Sequence, residues 1–185
     1  MADSAAIFSR DDQRCQLALG GNVFVVAKVW NGEMKIHIRE YEQGRGRWFP
    51  MKRGIALTLQ RWLELVSNKS RIEEAMERQP GTLRCHLGGN VYAEMDSTYP
   101  GLDIRKWYWC GKENTIKPHK HPGIKLNVDQ LKQLLNCFIA IPDFVSELSN
   151  VVPCYMNQDH MNQFGYFMCS ECNPNGLSVW DSTHM

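Results

Sequence analysis

The chain has 185 residues, of which 43% are hydrophobic and 22% charged, and its formal net charge at pH 7 is +1. This composition is that of a folded globular protein, and the near-zero net charge argues against a strongly basic nucleic-acid-binding protein. The first residues carry no apolar secretion signal, and no apolar run approaches the ~20 residues that cross a bilayer. The seven cysteines are scattered and odd in number, which argues against a secreted disulfide framework. We therefore expect a soluble intracellular protein without a membrane span.

Basic residues concentrate in two stretches of the sequence, 28–53 and 103–125, where they outnumber acidic residues. Most of the balancing acidic residues lie in segments with helical patterning. This segregation predicts two basic surfaces backed by acidic helices.

The first predicted elements are two strands joined by a tight turn. Residues 22–30 alternate between the two faces of a strand, and Asn31-Gly32 suits a two-residue hairpin. Residues 34–41 form the returning strand, with Ile36 and Ile38 inward. Cations and aromatic residues fall together on the outward face of this pair, at Lys28, Trp30, Lys35, His37 and Arg39.

A basic, proline-containing segment leads into a helix. Residues 43–48 (QGRGRW) are expected to form a flexible basic loop that grasps a ligand strand, or alternatively a disordered hairpin tip. Thr58 is the predicted N-cap of the helix, and Trp62 lies in the core by its helical spacing. The helix is expected to break or bend at residues 67–70.

The same order of features then occurs a second time. The motif LGGNVF at residues 19–24 returns as LGGNVY at residues 87–92, and a Gly-Ile-x-Leu segment before the helix returns with an offset of 69 residues. Asn127 is the predicted N-cap of the second helix. The offset is 68 residues at the first motif and 69 at the Gly-Ile pair, and self-similarity in nearly constant register predicts a duplicated module, with one copy at residues 17–78 and the other at 86–149. A linker at residues 79–85 joins the copies, and segments 1–16 and 150–185 flank them.

The repeated unit resembles a known family. The residues that carry this resemblance in the first copy are Leu19-Gly20, Asn22, Asn31-Gly32, Ile36, Ile38-Arg39-Glu40-Tyr41, Gly54-Ile55, Leu57 and Trp62. Those in the second copy are Ile104-Arg105, Lys117-Pro118, Gly123-Ile124 and Leu126-Asn127. The pattern resembles the single-stranded-DNA-binding domain of the eukaryotic transcriptional coactivator positive cofactor four, which is a four-stranded antiparallel sheet followed by one helix and pairs as a homodimer. The resemblance implies an α+β fold with two tandem copies of this unit, paired as an intramolecular pseudodimer.

The resemblance, together with the charge pattern, also implies a set of nucleic-acid-binding residues. These are Lys28, Trp30, Lys35, Arg39, Arg47, Trp48, Lys52, Arg53, Arg105, Trp107, Tyr108, Lys117, His119 and Lys120. The second copy lacks a basic residue directly before Gly123, and its first hairpin, residues 93–101, is acidic. We therefore expect the two copies to bind unequally.

Cations that follow phosphates and aromatic faces that stack bases are what sequence-tolerant single-strand binding requires. The expected function is single-stranded DNA binding in the nucleus, by a transcriptional-coactivator-like or a replication or repair accessory protein. RNA or melted duplex DNA as ligands, and the transcription machinery as a partner, stay open. The alternative is a protein-interaction module that recruits transcription factors. No P-loop, nucleophile elbow or HExxH motif occurs, so an enzyme is not expected.

The segment 150–185 belongs to neither copy. It holds four residues of the types that bind structural zinc, including one C-x-x-C pair: Cys154, His160, Cys169 and Cys172. Their spacing matches no common zinc finger, so a zinc site and a loose tail with ordinary thiols are the two alternatives. No other cofactor is expected.

Overall fold

The computed structural model describes residues 13–78, 81–160 and 162–176. The first half of the chain contains four strands and a broken helix: β1 Gln13–Gly20, β2 Val23–Trp30, β3 Glu33–Gly44, β4 Arg47–Thr58, α1 Leu59–Ser67 and α2 Lys69–Glu77. The second half contains four strands and one helix: β5 Leu83–Gly88, β6 Val91–Asp96, β7 Tyr99–Cys110, β8 Thr115–Leu126 and α3 Val128–Ala140. The tail consists of short 3-10 turns and one short helix: Ile141–Asp143, Ser146–Asn150, Cys154–Met156, Gln158–His160 and α4 Gln163–Met168.

All eight strands belong to one antiparallel sheet with the order β1-β2-β3-β4-β8-β7-β6-β5. The two halves meet where β4 pairs with β8, with Gly54 opposite Gly123. The order of strands in the second half is the mirror image of that in the first. The fold is therefore α+β, with the helices gathered on one face of the sheet.

The core lies between that face and the helices. Ile36, Ile38 and Trp62 are fully buried, which confirms the inward positions predicted from the strand alternation and the helical spacing. Each helix packs on a strand of the other half, α3 against β1 and α1 against β5. The rings of Trp62 and Phe138 meet edge to face between α1 and α3, with centroids 5.3 Å apart. The two halves consequently share one continuous core.

The predicted helix caps and the predicted helix break are confirmed. The side chain of Thr58 accepts a hydrogen bond from the backbone N–H of Arg61 at 3.3 Å. Asn127 and Gln130 form a reciprocal capping box at the start of α3. The break between α1 and α2 falls at Asn68, whose side-chain amide donates to the carbonyl of Glu64 at 2.8 Å.

The prediction of a flexible loop at residues 43–48 is wrong, because the structure has the tip of an ordered hairpin there. β3 and β4 continue to Gly44 and from Arg47, and the connection is a tight turn with Arg45 and Gly46 at φ 47° and 74°. Positive φ at both central residues is the geometry that matches the twist of hairpin strands. The proline-containing basic segment is therefore part of the extended strand β4.

Two predicted segment boundaries also differ from the structure. β1 begins at Gln13 and buries Cys15, so residues assigned to the N-terminal segment 1–16 pair with β2. β5 begins at Leu83, inside the predicted linker 79–85. Predictions for residues 1–12, 79–80 and 177–185 lie outside the described residues. Within the described residues, no single helix is long and apolar enough to span a membrane, and only the bent pair Val128–Asp143 with Ser146–His160 meets that length and composition jointly.

Candidate nucleic-acid interface

The outer face of the first half is the sheet surface opposite the helices. Register places Phe24 opposite Arg39, and Lys28 opposite Lys35. At the end of this face the Trp30 side chain is 52% exposed, and the Lys28 ammonium lies 5.1 Å from its ring centroid. We call the surface formed by Phe24, Lys28, Trp30, Lys35 and Arg39 the first-half face.

Arg39 is held in place by the strand beside it. A Cβ atom at Gly54 would lie 2.7 Å from Cγ of Arg39, so the side chain of this arginine crosses a position that only glycine leaves open. Its guanidinium donates to the carbonyl of Met51 at 2.5 Å. Within the described part of the chain, Arg39 forms no ion pair with a carboxylate, and Lys35 pairs with Glu33 at 3.2 Å. The charge of Arg39 is therefore directed to the surface without an acidic partner.

His37 does not contribute to the cationic surface. Its side chain shares the outer side of β3 with Lys35 and Arg39, as expected, but it is only 5% exposed and its Nε2 atom has no hydrogen-bond partner. Burial, reinforced by the positive charges of Lys28, Arg39 and Lys35, lowers the pKa of His37 from 6.5 to about 4. The imidazole is neutral at pH 7, and the expectation that it supplies part of the exposed face is wrong.

Trp48 is anchored by other aromatic rings. Its ring meets that of Phe24 at a centroid distance of 5.4 Å, and Phe24 meets Tyr41 at 5.6 Å. Trp48 is half-buried as a result, whereas the adjacent Arg47 is exposed. Phe24 was missed as a site residue, although it shares the strand face of Lys28 and Trp30 by simple alternation. Tyr41 is buried and supports the ring of Phe24 from below the surface.

The basic pair on β4 lies near the junction of the two halves. Lys52 and Arg53 are both exposed. Arg53 contacts Glu40 at 3.4 Å and donates to the backbone carbonyl of Lys125 on β8 at 2.8 Å. Arg53 therefore joins the halves, and Lys52 extends the first-half face toward the junction.

The second half has an arginine in the corresponding place, but its charge is already balanced. Arg105 crosses Gly123 as Arg39 crosses Gly54, with a Cβ at Gly123 lying 3.1 Å from its Cγ. Its guanidinium binds the carboxylate of Asp103 at 3.1 Å and the carbonyl of His119 at 2.8 Å. The Arg105 side chain is only 21% exposed. Little of its charge is available to a further anion.

Acidic residues and an internal cation also occupy the outer face of the second half. Glu94 lies opposite Asp103, where the first half has Val26 opposite His37. Arg84 pairs with Glu94 at 3.1 Å, and its guanidinium carbon lies 4.7 Å from the Tyr92 ring centroid and 4.5 Å from that of Trp107. Trp107 is therefore covered by a cation of the protein itself. Arg84 was missed because its contact with Trp107 depends on the alignment of strands distant in sequence.

The remaining predicted residues of the second half lie toward the tip of the hairpin formed by β7 and β8. Tyr108 is 40% exposed and its ring lies 4.7 Å from that of His119. Lys117 forms an ion pair with Glu113, and Lys120 is exposed. Tyr108 lies opposite Lys117 in the register of β7 and β8, and Lys120 is an accessible cation on the same hairpin.

The four predicted zinc ligands come together in the tail. One ligand atom from each of Cys154, His160, Cys169 and Cys172 lies within 4.8 Å of the others, and all four side chains are half-buried. This cluster is on the side of α1 and the β5–β6 turn, apart from the first-half face.

Residues 17–68, which include the second half of β1, all of β2–β4 and α1, match the protein-family model described as Transcriptional Coactivator p15 (PC4). These residues form a domain of that family. The match covers less than half of the chain and does not extend to residues 86–149, so the duplication rests on the repeated motifs. No curated protein and no solved structure has significant similarity to the chain. The first-half face lies entirely within the PC4 domain.

Proposed function

We propose that the protein binds single-stranded DNA with little sequence preference, and that the first-half face is the principal binding surface. The observation that carries this proposal is the row of Lys28, Lys35 and Arg39 beside the exposed ring of Trp30, within a domain of a DNA-binding coactivator family. A sheet face of this composition can contact phosphates with its cations and stack a base on its ring. Neither contact depends on base identity.

The magnitudes are adequate for useful affinity. Stacking of one base on an aromatic side chain contributes about 1–3 kcal/mol. Hydrogen bonds that involve a charged group contribute about 1.5–3 kcal/mol each. One stacked base and three phosphate contacts give at most about 12 kcal/mol by these values. Association costs at least about 4 kcal/mol, so contacts of this number support binding up to about micromolar affinity.

We further propose that residues 17–78 and 86–149 are copies of one unit and act as an intramolecular pseudodimer. The mirrored strand order, the central Gly54–Gly123 pair and the packing of each helix across strands of both halves support this interpretation. Each amphipathic helix would leave its own sheet incompletely covered, and packing on the other half buries the remaining apolar surface.

The repeated Leu-Gly-Gly-Asn motif has a structural explanation in this arrangement. Gly20 and Gly21 have φ of 99° and 58°, which glycine adopts without strain. The turn that they form receives a helix residue from the other half: Gln130 donates to the carbonyl of Gly20 at 2.9 Å. In the second turn, a Cβ at Gly89 would lie 2.4 Å from the guanidinium of Arg61. Each glycine turn therefore accommodates a side chain from the first turn of the other half's helix.

The two halves have unequal roles in this proposal. In the second half, Arg105 is paired with Asp103. The ring of Trp107 is covered by Arg84, which is itself paired with Glu94. We propose that it serves mainly as the structural partner of the first half. In the cell, the protein would act in the nucleus as a coactivator-like or a replication or repair accessory protein.

The test is a binding comparison of single-stranded DNA, duplex DNA and single-stranded RNA of equal length, each titrated with salt. We expect single-stranded DNA to bind at least tenfold more tightly than duplex DNA. For each phosphate neutralised, the logarithm of the binding constant should fall with the logarithm of salt concentration with a slope of about −0.7. Tighter binding to RNA would change the ligand class. The absence of salt-dependent binding to any of the three would instead favour a protein-interaction module.

A further inference from the structure

The tail is ordered against the rest of the protein without a core of its own. None of its described residues between 151 and 176 is buried, although the tail contains several large apolar side chains. The exposed fractions are 61% for Tyr155, 74% for Phe164 and 69% for Met168. Short segments that bury so little apolar surface need a cross-link or a metal to hold a defined structure.

The Cys/His cluster has the geometry of such a cross-link. The Sγ atoms of Cys154 and Cys169 are 3.4 Å apart, and Sγ of Cys154 lies 3.9 Å from Nε2 of His160. Sγ of Cys172 lies 3.7 Å from Nδ1 of His160. Tetrahedral zinc with Zn–S bonds of about 2.3 Å holds its sulfur ligands about 3.8 Å apart, close to these separations.

We propose that Cys154, His160, Cys169 and Cys172 bind one structural zinc ion. Three thiolates and one imidazole are a ligand set that zinc prefers, and four protein ligands complete its tetrahedral shell without an open position for chemistry. The backbone N–H of Cys172 also points at Sγ of Cys169 at 3.5 Å, a contact that orients the sulfur and stabilises its negative charge.

The loop between the two cysteines of the C-x-x-C pair docks the tail on both halves of the protein. Its Glu171 forms a two-pronged ion pair with Arg61 of α1, with Nε–Oε2 and Nη2–Oε1 distances of 3.0 Å and 2.5 Å. The backbone carbonyl of Glu171 accepts a hydrogen bond from the N–H of Gly89 at 2.8 Å. Asn175 extends the docking by donating to the side chain of Asn90 at 3.0 Å.

The zinc ion thereby acquires a structural role beyond the tail. By fixing the loop that carries Glu171, it holds α1 of the first half against the glycine turn of the second half. The other glycine turn receives Gln130 of α3 and the backbone N–H of Tyr41, and within the described residues no hydrogen bond joins it to the tail. The zinc site therefore reinforces the contact between α1 and the glycine turn of the second half.

Metal analysis of the full chain tests the proposal directly. The protein is purified under reducing conditions, dialysed against metal-free buffer and analysed for all transition metals. We expect about one zinc ion per chain, because four convergent ligands retain structural zinc through dialysis. A wild-type preparation that holds no zinc and takes up none on addition of Zn²⁺, or that holds iron instead, would overturn the proposal.

Two ligand variants and one control separate zinc binding from the alternative of a Cys154–Cys169 disulfide. Cys169→Ser and His160→Ala should each lower the zinc content at least tenfold, whereas Cys110→Ser, which alters a half-buried thiol outside the cluster, should leave it unchanged. A disulfide needs no imidazole, so full zinc retention by His160→Ala would contradict the proposed site. Chelation of the wild-type protein should expose the tail to chymotrypsin at Phe164 while residues 13–148 stay resistant, and unchanged resistance of the tail would contradict the structural role.

Discussion

The two arginines that cross the central glycines are a matched pair for testing where DNA binds. Arg39 has no acidic partner in the described structure, whereas Arg105 is bound to Asp103 and to the carbonyl of His119. Replacement of each by alanine removes the same group from corresponding positions of the two halves. If the first half binds DNA and the second half does not, the replacement of Arg39 should lower affinity, whereas the replacement of Arg105 should lower stability.

For Arg39→Ala we expect a loss of single-stranded DNA affinity of about tenfold or more. A hydrogen bond from a charged group contributes about 1.5–3 kcal/mol, and the lower value applies here because Nη1 of Arg39 already donates to Met51. Since 1.4 kcal/mol corresponds to a tenfold change in affinity, the lower value gives about tenfold. The salt slope should also become shallower by about 0.7, because one fewer phosphate is neutralised.

For Arg105→Ala we expect a change in affinity of about threefold or less, because the guanidinium is already engaged by protein acceptors. Its loss leaves the Asp103 carboxylate without a partner, so the cost of about 1 kcal/mol should appear in the free energy of unfolding. Fluorescence anisotropy with a labelled oligonucleotide measures the first quantity, and chemical denaturation the second. Equal losses of affinity in the two variants, or a larger loss for Arg105→Ala, would show that the first half is not the principal binding surface.

Three further predictions concern stability. The pKa of His37 is about 4 in the folded protein and near 6.5 when unfolded, so protonation favours unfolding. The contribution of His37 to the free energy of unfolding should be intact above pH 6.5 and fall as pH drops toward 4, by about 1.4 kcal/mol per pH unit. A His37→Gln variant that lacks this slope in urea titrations would confirm that His37 is its source. Gly54→Ala should destabilise the protein by about 1–3 kcal/mol because its Cβ would lie 2.9 Å from the backbone of Arg39. Gly123→Ala should cost less because the three atoms nearest to its Cβ belong to the side chain of Arg105, the nearest at 3.1 Å. Thermal melts that rank the two variants in reverse would contradict this packing. Trp62→Ala should cost about 3–5 kcal/mol through the cavity left in the shared core, and a loss below 1 kcal/mol in chemical denaturation would argue against that core.

Much of the local structure could be predicted because it depends on neighbouring residues. Strand alternation placed Ile36 and Ile38 inward, and hydrogen-bonding side chains at helix starts identified Thr58 and Asn127 as caps. The pairing of Arg105 with Asp103 was also within reach, since residues two apart on a strand share a face.

Features that depend on tertiary geometry could not be predicted. The burial of His37 follows from how its sheet packs, whereas strand periodicity specifies only the side on which it lies. The tight turn at Arg45 was obscured because arginine rarely adopts positive φ, so the sequence reads as a flexible basic loop. The packing of the two helices against each other and across both halves depends on contacts such as that of Trp62 with Phe138, which lie far apart in the sequence.

Photo-crosslinking of single-stranded DNA to the full chain, followed by identification of the attached residues, shows directly which half of the protein holds the strand. A base that stacks on the first-half face lies against Trp30, so we expect crosslinks at Trp30 and in neighbouring peptides of β2–β4. Competition by unlabelled single strands should abolish these crosslinks. Crosslinks concentrated at Trp107 or Tyr108 of the second half, with Trp30 unmodified, would contradict the proposal that the first-half face is the principal binding surface.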